Sequence, residues 1–412
     1  MNIILGVTGS IACYKSYDLL RKLIKRGHKV KVILTSGSLK FIKAQTFHYL
    51  GAQEVFLPHD DFTPEKSLSS VLHIDLVKWC DKILIAPTSA NTISRIAMGL
   101  TNDLLTSVLL ANSSKPVLIF PAMNSKMWNH LRIQSHLREI SNLPHYAIIN
   151  PVKGKLACGD EGSGKLLSIN TIVHLAECLN PKLHIKIKIL ITAGATSFPL
   201  DPVRFLTNPS TGKMGFEIAK AFLSKGYFVH LVAGHRFTKE ISHLLHHPHF
   251  QLSEAPTTHT MRDCVLDLFP TCDLYISSAA IADIHFERSS EKIKKESLHA
   301  HLAFQKAPDI LKEVIQKKTH QKIIGFAAET ETTEDIFSKK MVNKPVDLLV
   351  GNKVSNNLDK NQEPLGFQVN NGKYYFIEKQ NKTNSSLSFD GPHDLTKTQI
   401  AFKLLHWFQN QT

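Results

Sequence analysis

The segment KLACGDEGSGKLL, residues 155–167, sets one thiol, Cys158, among three glycines and two lysines. Gly159, Gly164 and Lys165 stand at the G-x-x-x-x-G-K spacing of a phosphate loop, which cradles phosphate oxygens on backbone N–H groups and needs a hydroxyl after the lysine for magnesium. Leu166 fills that hydroxyl position, and the preceding NPVKGK, with its proline, glycine and two lysines, makes a poor strand. The phosphate-loop reading fails, and what needs explaining is a single cysteine in a glycine-rich, mobile loop. Alone, it could be a surface thiol in a turn. Two further side chains could act on a ligand. His73, in VLHIDLVKWCDK, starts a helix, where histidine commonly serves as a surface or capping residue. Asn124 ends the apolar run KPVLIFPAMN and is expected to point into the crevice beyond that strand, although asparagine is also an ordinary turn former.

These side chains need a scaffold. NIILGV, KVKVILT, KILIAPT, KPVLIFPAM and HYAIINP read as strands, apolar throughout and separated by helical segments, the pattern of a parallel sheet covered on both faces. One helix is expected over 11–26, with Ile11, Tyr14, Leu19, Leu20, Leu23 and Ile24 on one apolar face closed by Gly27. After Asn180-Pro181 the alternation restarts with IKILITAG, FVHLVAG, LYISSAAIAD, KIIGFAAET and DLLVGNKV. The predicted fold class is α/β, two doubly wound parallel-sheet (Rossmann-like) domains over 1–181 and 182–412, with the boundary near 182–186. Residues 284–305 are lysine-rich and poorly periodic, which predicts an exposed excursion.

A chain of 412 residues exceeds one ordinary core, and 43% hydrophobic with 20% charged residues is a globular composition. Its apolar runs fall short of the roughly 20 residues of a membrane helix, and its first residues carry no basic leader. Cys13, Cys80, Cys158, Cys178, Cys264 and Cys272 are scattered without C-x-x-C spacing, which argues against a disulfide framework or a zinc site and fits a reducing, cytoplasmic setting. The formal charge of +14 is spread along both halves without a nucleic-acid-binding signature, so phosphorylated small molecules explain it as well as a nucleic acid does. Neither nucleic acid nor membrane is the expected partner.

Ligands of such sheets sit beyond the carboxyl ends of the strands. The loops there, GVTGSIA (6–12), LTSGS (34–38), APTSANT (86–92) and PAMN (121–124), are small or hydroxyl-bearing, suited to a phosphate and a flat ring. The first lacks the third glycine of G-x-G-x-x-G, and no acidic residue closes the second strand. A nicotinamide-dependent oxidoreductase is thereby weakened to the runner-up.

Taken in order, GVTGSIA, HIDL, APTSANT, GLTNDLL, PAMN and ACGDEGSGKL over residues 1–181 resemble the flavin-containing cysteine decarboxylases, which are flavodoxin-like flavoproteins. ITAGAT, LDPVRFLTN, STGKMG, SSAAIADI, EKIKK, KAPDIL and GFAAET in the second half resemble phosphopantothenate–cysteine ligase, and the fusion of both resembles the bifunctional bacterial proteins of coenzyme A biosynthesis. Two positions depart from the family pattern, Ala195 for a proline and Thr211 for a serine. A flavin-binding regulatory protein is the rival of another class, and His73, Asn124 and Cys158 speak against it.

The resemblance implies FMN held by Gly9, Ser10, Ile11, Ser36, Thr88, Ser89 and Asn102. It implies oxidative decarboxylation of 4′-phosphopantothenoylcysteine to an enethiol and then reduction to a thiol, with His73 assisting the first stage, Asn124 holding the substrate carboxylate and Cys158 giving a proton at the end. A thiol suits that step, since its ordinary pKa of about 8.5 leaves it mostly protonated at neutral pH. For the ligase half it implies activation of 4′-phosphopantothenate by CTP with Mg2+, followed by attack of cysteine on an acyl-cytidylate. Asn208 and Arg204 would act at that centre, and Ser277, Ser278, Ala279, Asp283, Lys292, Pro308, Asp309, Ile310, Leu311, Phe326, Lys340 and Lys344 would contact nucleotide. The magnesium ligands are unassigned, and the resemblance further implies a homo-oligomer sharing flavin sites across an interface.

Overall fold

The first strand, Asn2–Val7, shows why the sheet is covered twice: Ile3, Leu5 and Val7 pack into one apolar cluster and Ile4 into another. Alternate residues of a strand point to opposite faces, so an uninterrupted apolar strand demands a layer on each side. The computed structural model describes residues 1–63, 71–285, 288–294, 305–358, 364–365, 370–379 and 387–411, and the chain divides into two compact units, Met1–His184 and Ile185–Thr412.

In the first unit six parallel strands lie in the order Glu54–Phe56, Lys29–Leu34, Asn2–Val7, Lys82–Thr88, Val117–Pro121 and Tyr146–Ile148. Without the three-residue edge strand this is the flavodoxin-like order, and the order of strand addition reverses between Asn2–Val7 and Lys82–Thr88, where the crevice opens. The segment expected as one helix over 11–26 is instead a 3-10 turn, Ile11–Lys15, followed by helix Ser16–Lys25. Leu19, Leu20 and Leu23 are buried as expected, whereas Ile11 and Tyr14 are 55% and 59% exposed. With three residues per turn, positions 11 and 14 share a face that does not continue into the helix.

A second correction concerns residues 152–165. The segment expected to be loop is an antiparallel hairpin, Val152–Lys155 against Glu161–Lys165. At the far end of this unit, helix Ile169–Cys178 is held to the central strand by Lys82, whose buried Nζ donates to the carbonyls of Ala176 (2.6 Å) and Leu179 (2.8 Å). These oxygens belong to a helix end, whose last carbonyls lack intrahelical partners.

The second unit places eight strands side by side: Phe250–Glu254, Tyr227–Ala233, Ile185–Ala193, Leu274–Ser277, Lys322–Glu329, Leu348–Lys353, Asn371–Lys379 and Leu387–Thr396. The first six are parallel, and Asn371–Lys379 is antiparallel to both neighbours. Two reversals return Leu387–Thr396 to the direction of the parallel set, so its carboxyl end and the helix after it, Lys397–Gln409, reach the ligand-bearing edge. The lysine-rich excursion is seen in part, as Ile284–His285 paired with Gln305–Lys306 and as residues 288–294; 286–287 and 295–304 lie outside the described residues. Among the described residues no helix is long and apolar enough to cross a membrane.

Candidate active sites

In the first unit a cavity of about 620 Å³ opens at the crevice, within the 300–1,000 Å³ usual for small-molecule and cofactor sites. It gathers Gly9, Ser10, Ile11, Ser89, Asn124 and Cys158 from loops far apart in sequence. Ser10 caps the 3-10 turn by accepting from the Ala12 amide (3.4 Å), and Ser89 caps helix Ala90–Met98 by accepting from the Thr92 amide (3.4 Å). Two helical N-termini with hydroxyl caps thus border the cavity, an arrangement that favours an anion. Ala122, Met123, Leu156 and Leu166 give it an apolar wall.

Cys158 sits at the hairpin turn, exposed. Asn124 Nδ2 donates to Cys158 Sγ (3.2 Å), and the thiol in turn donates to Asp160 Oδ2 (3.5 Å). The Asn124 amide is oriented by its other end, since Oδ1 accepts from the Lys126 backbone at 2.8 Å as the cap of helix Ser125–Trp128. Two glycines make the hairpin possible. Gly159 turns with φ +91°, a left-handed conformation, and a Cβ on Gly164 would come within 2.1 Å of the Met123 carbonyl oxygen. Gly164 O also accepts from the Met123 amide at 3.0 Å, which ties the hairpin base to the strand end carrying Asn124.

Four expected residues are off this wall. Thr88 is buried, donating to the Ile85 carbonyl (2.7 Å), while Ser36 and Asn102 lie on exposed loops. His73 lies in the first turn of helix Leu72–Trp79, its Nδ1 against both oxygens of Asp61 at 2.9 and 3.0 Å. That carboxylate fixes the ring orientation and leaves Nε2 as the nitrogen that Asp61 does not engage. Conversely, Tyr14, Lys15, Lys155 and Lys165 line the cavity although the sequence did not assign them to a flavin or substrate site.

The second unit has a cavity of about 410 Å³ whose wall includes Asn208, Ser277, Ser278, Ala279, Asp283, Pro308, Asp309, Ile310, Leu311, Phe326, Lys340 and Lys344. Asn208 Nδ2 donates to the carbonyls of Ala280 (3.1 Å) and Ile281 (3.2 Å), and Ser278 donates to the Thr192 carbonyl (2.6 Å), so both are fixed by the strand-end loops. Lys340 pairs with Glu329, and Lys344 with Asp309 at 2.7 Å. Burial disfavours the Asp309 carboxylate, but Lys344 and the Lys312 amide outweigh it and hold its pKa below the ordinary value. Thr211 lines this cavity, and the Ala195 amide donates to the Arg236 carbonyl at 3.0 Å, a bond no proline could make.

Arg204 and Lys292 are not on that wall. The Arg204 guanidinium grips Asp201 Oδ2 through Nε (2.9 Å) and Nη2 (2.6 Å), and Nη2 also reaches the Ile293 carbonyl (2.7 Å). Asp201 in turn accepts from the Ile293 amide (3.3 Å). Burial opposes ionisation of Asp201, but Arg204 and the amides of Val203, Arg204 and Ile293 hold it well below the usual carboxylate range. The pair is a clamp on the segment bearing exposed Lys292. Sequence reasoning missed Lys213, Asn352, Tyr374 and Lys397 on the cavity wall; Lys213 lies inside the quoted STGKMG and could have been found there.

Comparison with known proteins covers both units. The family model named Flavoprotein matches residues 1–180, and the DNA/pantothenate metabolism flavoprotein C-terminal domain matches residues 185–410. The coenzyme A biosynthesis bifunctional protein CoaBC of Bacillus subtilis (strain 168) is 38% identical over 364 residues, 86% of this chain and 86% of that protein. Its namesake in Escherichia coli (strain K12) is 35% identical over 382 residues, 91% and 90% of the two chains. The Vibrio cholerae protein of the same name is 36% identical over 358 residues, 86% and 87%.

Proposed function

Because the chain belongs to the family of bifunctional coenzyme A biosynthesis proteins, we propose that its second unit joins 4′-phosphopantothenate to cysteine at the expense of CTP and that its first unit decarboxylates the product to 4′-phosphopantetheine. The observation that carries the first half is the Asn124–Cys158 contact on the wall of the crevice cavity.

The residues of that cavity fit a flavin mononucleotide. The Gly9–Ala12 loop and the caps Ser10 and Ser89 would hold its phosphate, and Ala122, Met123, Leu156 and Leu166 would flank its ring and exclude water. Bound FMN supplies the two-electron acceptor without which loss of the carboxylate leaves an unstabilised carbanion. Asn124 Nδ2 binds the substrate carboxylate, and the hairpin carries Cys158 Sγ to the carbon that must be protonated. His73, held by Asp61, lies off the wall of its own cavity among the described residues, which supports a homo-oligomer in which His73 serves a neighbouring copy.

In the second unit Asn208 holds the activated carboxyl. Lys292, Lys340 and Lys344 meet phosphate charge, with the Asp201–Arg204 clamp positioning the Lys292 segment. Among the described residues no group of three or more His, Cys, Asp or Glu gathers that could hold a metal ion. A magnesium ion would be carried chiefly by the nucleotide phosphates, with its protein ligands unassigned.

The test is incubation of the full chain with 4′-phosphopantothenate, CTP, cysteine and magnesium. Pyrophosphate, carbon dioxide and 4′-phosphopantetheine are expected in equal amounts, from a protein with a flavin absorption band. Failure to form the cysteine adduct would overturn the ligase half, and failure to decarboxylate a supplied adduct after FMN addition would overturn the other. Mixing His73→Asn with Cys158→Ser chains should restore turnover if sites are shared; no restoration would refute the shared site.

A further inference from the structure

Asp61 is brought to His73 by a turn of its own. The 3-10 segment Asp60–Phe62 follows the edge strand Glu54–Phe56 and is braced twice: Asp60 Oδ2 accepts from the Leu57 amide (2.8 Å), and the Pro58 carbonyl accepts from the Leu104 amide (2.9 Å). At the start of helix Leu72–Trp79, Asp61 Oδ1 accepts from the His73 backbone N–H at 3.2 Å, a cap that the N-cap residue, Val71, cannot supply. Both Asp61 oxygens also face His73 Nδ1, at 2.9 and 3.0 Å. A carboxylate only accepts, so Nδ1 carries a hydrogen and, in the neutral ring, Nε2 carries a lone pair. Among the described residues Nε2 has no hydrogen-bond partner, and no lysine or arginine pairs with Asp61. The Asp61 side chain is 10% exposed. Asp390 also meets a histidine, His393, but it is 51% exposed and shared with Lys403, an ordinary surface ion pair. Burying a carboxylate without a cation of its own costs free energy, whereas a helix cap needs only a neutral oxygen such as asparagine supplies. The charge of Asp61 therefore addresses the ring and not the helix.

We propose that Asp61 is a positioning residue of the decarboxylase: by holding the hydrogen on Nδ1 it keeps His73 Nε2 as the acceptor of the substrate's thiol proton and offsets the positive charge the ring then carries. This rests on the reading of the first unit as a decarboxylase of 4′-phosphopantothenoylcysteine in which His73 serves a neighbouring copy. In the oxidation stage the substrate's CH2–SH becomes CH=S; bound FMN supplies the acceptor for the C–H hydrogen with its electron pair, and the S–H proton goes to Nε2. Loss of carbon dioxide, protonation of carbon by Cys158 and return of the hydrogen with its electron pair leave a thiolate, and Nε2 gives the proton back to that sulfur. The one proton then drawn from water per carbon dioxide is that which recharges Cys158, as replacement of a carboxylate by hydrogen requires.

Asp61→Asn retains an oxygen for the helix cap but sets its donor Nδ2 at the other oxygen's place, where it opposes the hydrogen on Nδ1 or drives it to Nε2. Decarboxylation of supplied 4′-phosphopantothenoylcysteine is measured on the full chain, with circular dichroism melting as the control for folding. The expected kcat falls about a hundredfold or more while KM changes less than about threefold. Asp61→Glu, which keeps two acceptor oxygens, should recover part of the loss, and Asp61→Asn combined with His73→Asn should be no slower than His73→Asn alone. A folded Asp61→Asn with kcat within about threefold of the parent, or a further loss in the double variant, would overturn the assignment. Mixed with Cys158→Ser chains, Asp61→Asn chains should regain turnover as His73→Asn chains do; regain on mixing with His73→Asn chains would place Asp61 outside the His73 half-site and overturn it. A readout without turnover uses the full chain with isotope-labelled histidine nitrogens and His73→Asn as the blank. The His73 nitrogen shifts should place the hydrogen on Nδ1 in the parent and change in Asp61→Asn. Identical shifts in the two proteins would overturn the assignment even if the variant melts early. A parent that releases no carbon dioxide would sink the decarboxylase reading itself, and the shifts would still report whether Asp61 sets the ring.

Discussion

Replacing Lys82 by methionine should make the stability of the first unit respond differently to pH. Burial pushes the Lys82 ammonium down to about 8 from an ordinary 10.5. Each pH unit of difference between folded and unfolded chain is about 1.4 kcal/mol, so below pH 8 the charged lysine makes folding roughly 3 kcal/mol less favourable than the neutral amine does. The sign follows from proton counts. Between about pH 8 and 10.5 the unfolded chain holds the proton and the folded chain does not, so stability from this group rises with pH and is lowest below 8. Lys82→Met lacks that titration and also leaves the Ala176 and Leu179 carbonyls without their donor, at about 1–3 kcal/mol each. Parent and variant should therefore differ little at pH 7, and the parent should gain about 2.5 kcal/mol over the variant by pH 10. Urea unfolding of the full chain in a Trp407→Phe background leaves Trp79 and Trp128, both in the first unit, as fluorescent reporters. Parallel pH dependence in the two proteins would refute the reasoning.

Cys158→Ser should still release carbon dioxide from 4′-phosphopantothenoylcysteine but stall before the thiol product, which mass spectrometry of the product checks. Gly164→Ala should lower the thermal midpoint by several degrees, corresponding to about 1–3 kcal/mol, and weaken flavin retention, because a Cβ there meets the Met123 carbonyl at 2.1 Å; fluorescence of released flavin after filtration measures it. Asp201→Asn should raise the KM for CTP about tenfold and leave decarboxylation intact, since it loosens the segment bearing Lys292. Equal losses in both assays would point to a folding defect.

The parallel strands were legible because burial on both faces writes itself as an apolar run: Lys82–Thr88 is buried along its whole length. The hairpin around Cys158 was not legible. Its strands VKGK and EGSGK bury little and are held by a backbone ladder and the Gly164–Met123 contact, neither of which leaves an apolar pattern. The last strand, Leu387–Thr396, carries Gly391-Pro392, which reads as a turn, yet an edge strand has an unpaired side where a proline is tolerated. Overlooking it hid Lys397, whose place on the cavity wall depends on that strand's direction. Asn124 was legible from its position at a strand end, but its bond to Cys158 was not, because contacts between residues 34 positions apart have no local signature.

The hairpin turn that presents Cys158 also decides how the enzyme meets oxidants. Cys13, Cys80, Cys178 and Cys272 are buried and Cys264 is half-buried, so of the six thiols Cys158 is the one open to solvent. Peroxide reaches an accessible sulfur first, and the initial product, a sulfenic acid, is still reducible by thiols. If Cys158 is the proton donor proposed above, turnover in the flavin unit then fails before the ligase unit, whose thiols are buried or half-buried, is touched. An oxidised cell would accumulate the cysteine adduct rather than its precursor acid, and a reductant would restore flow at the step where it stopped.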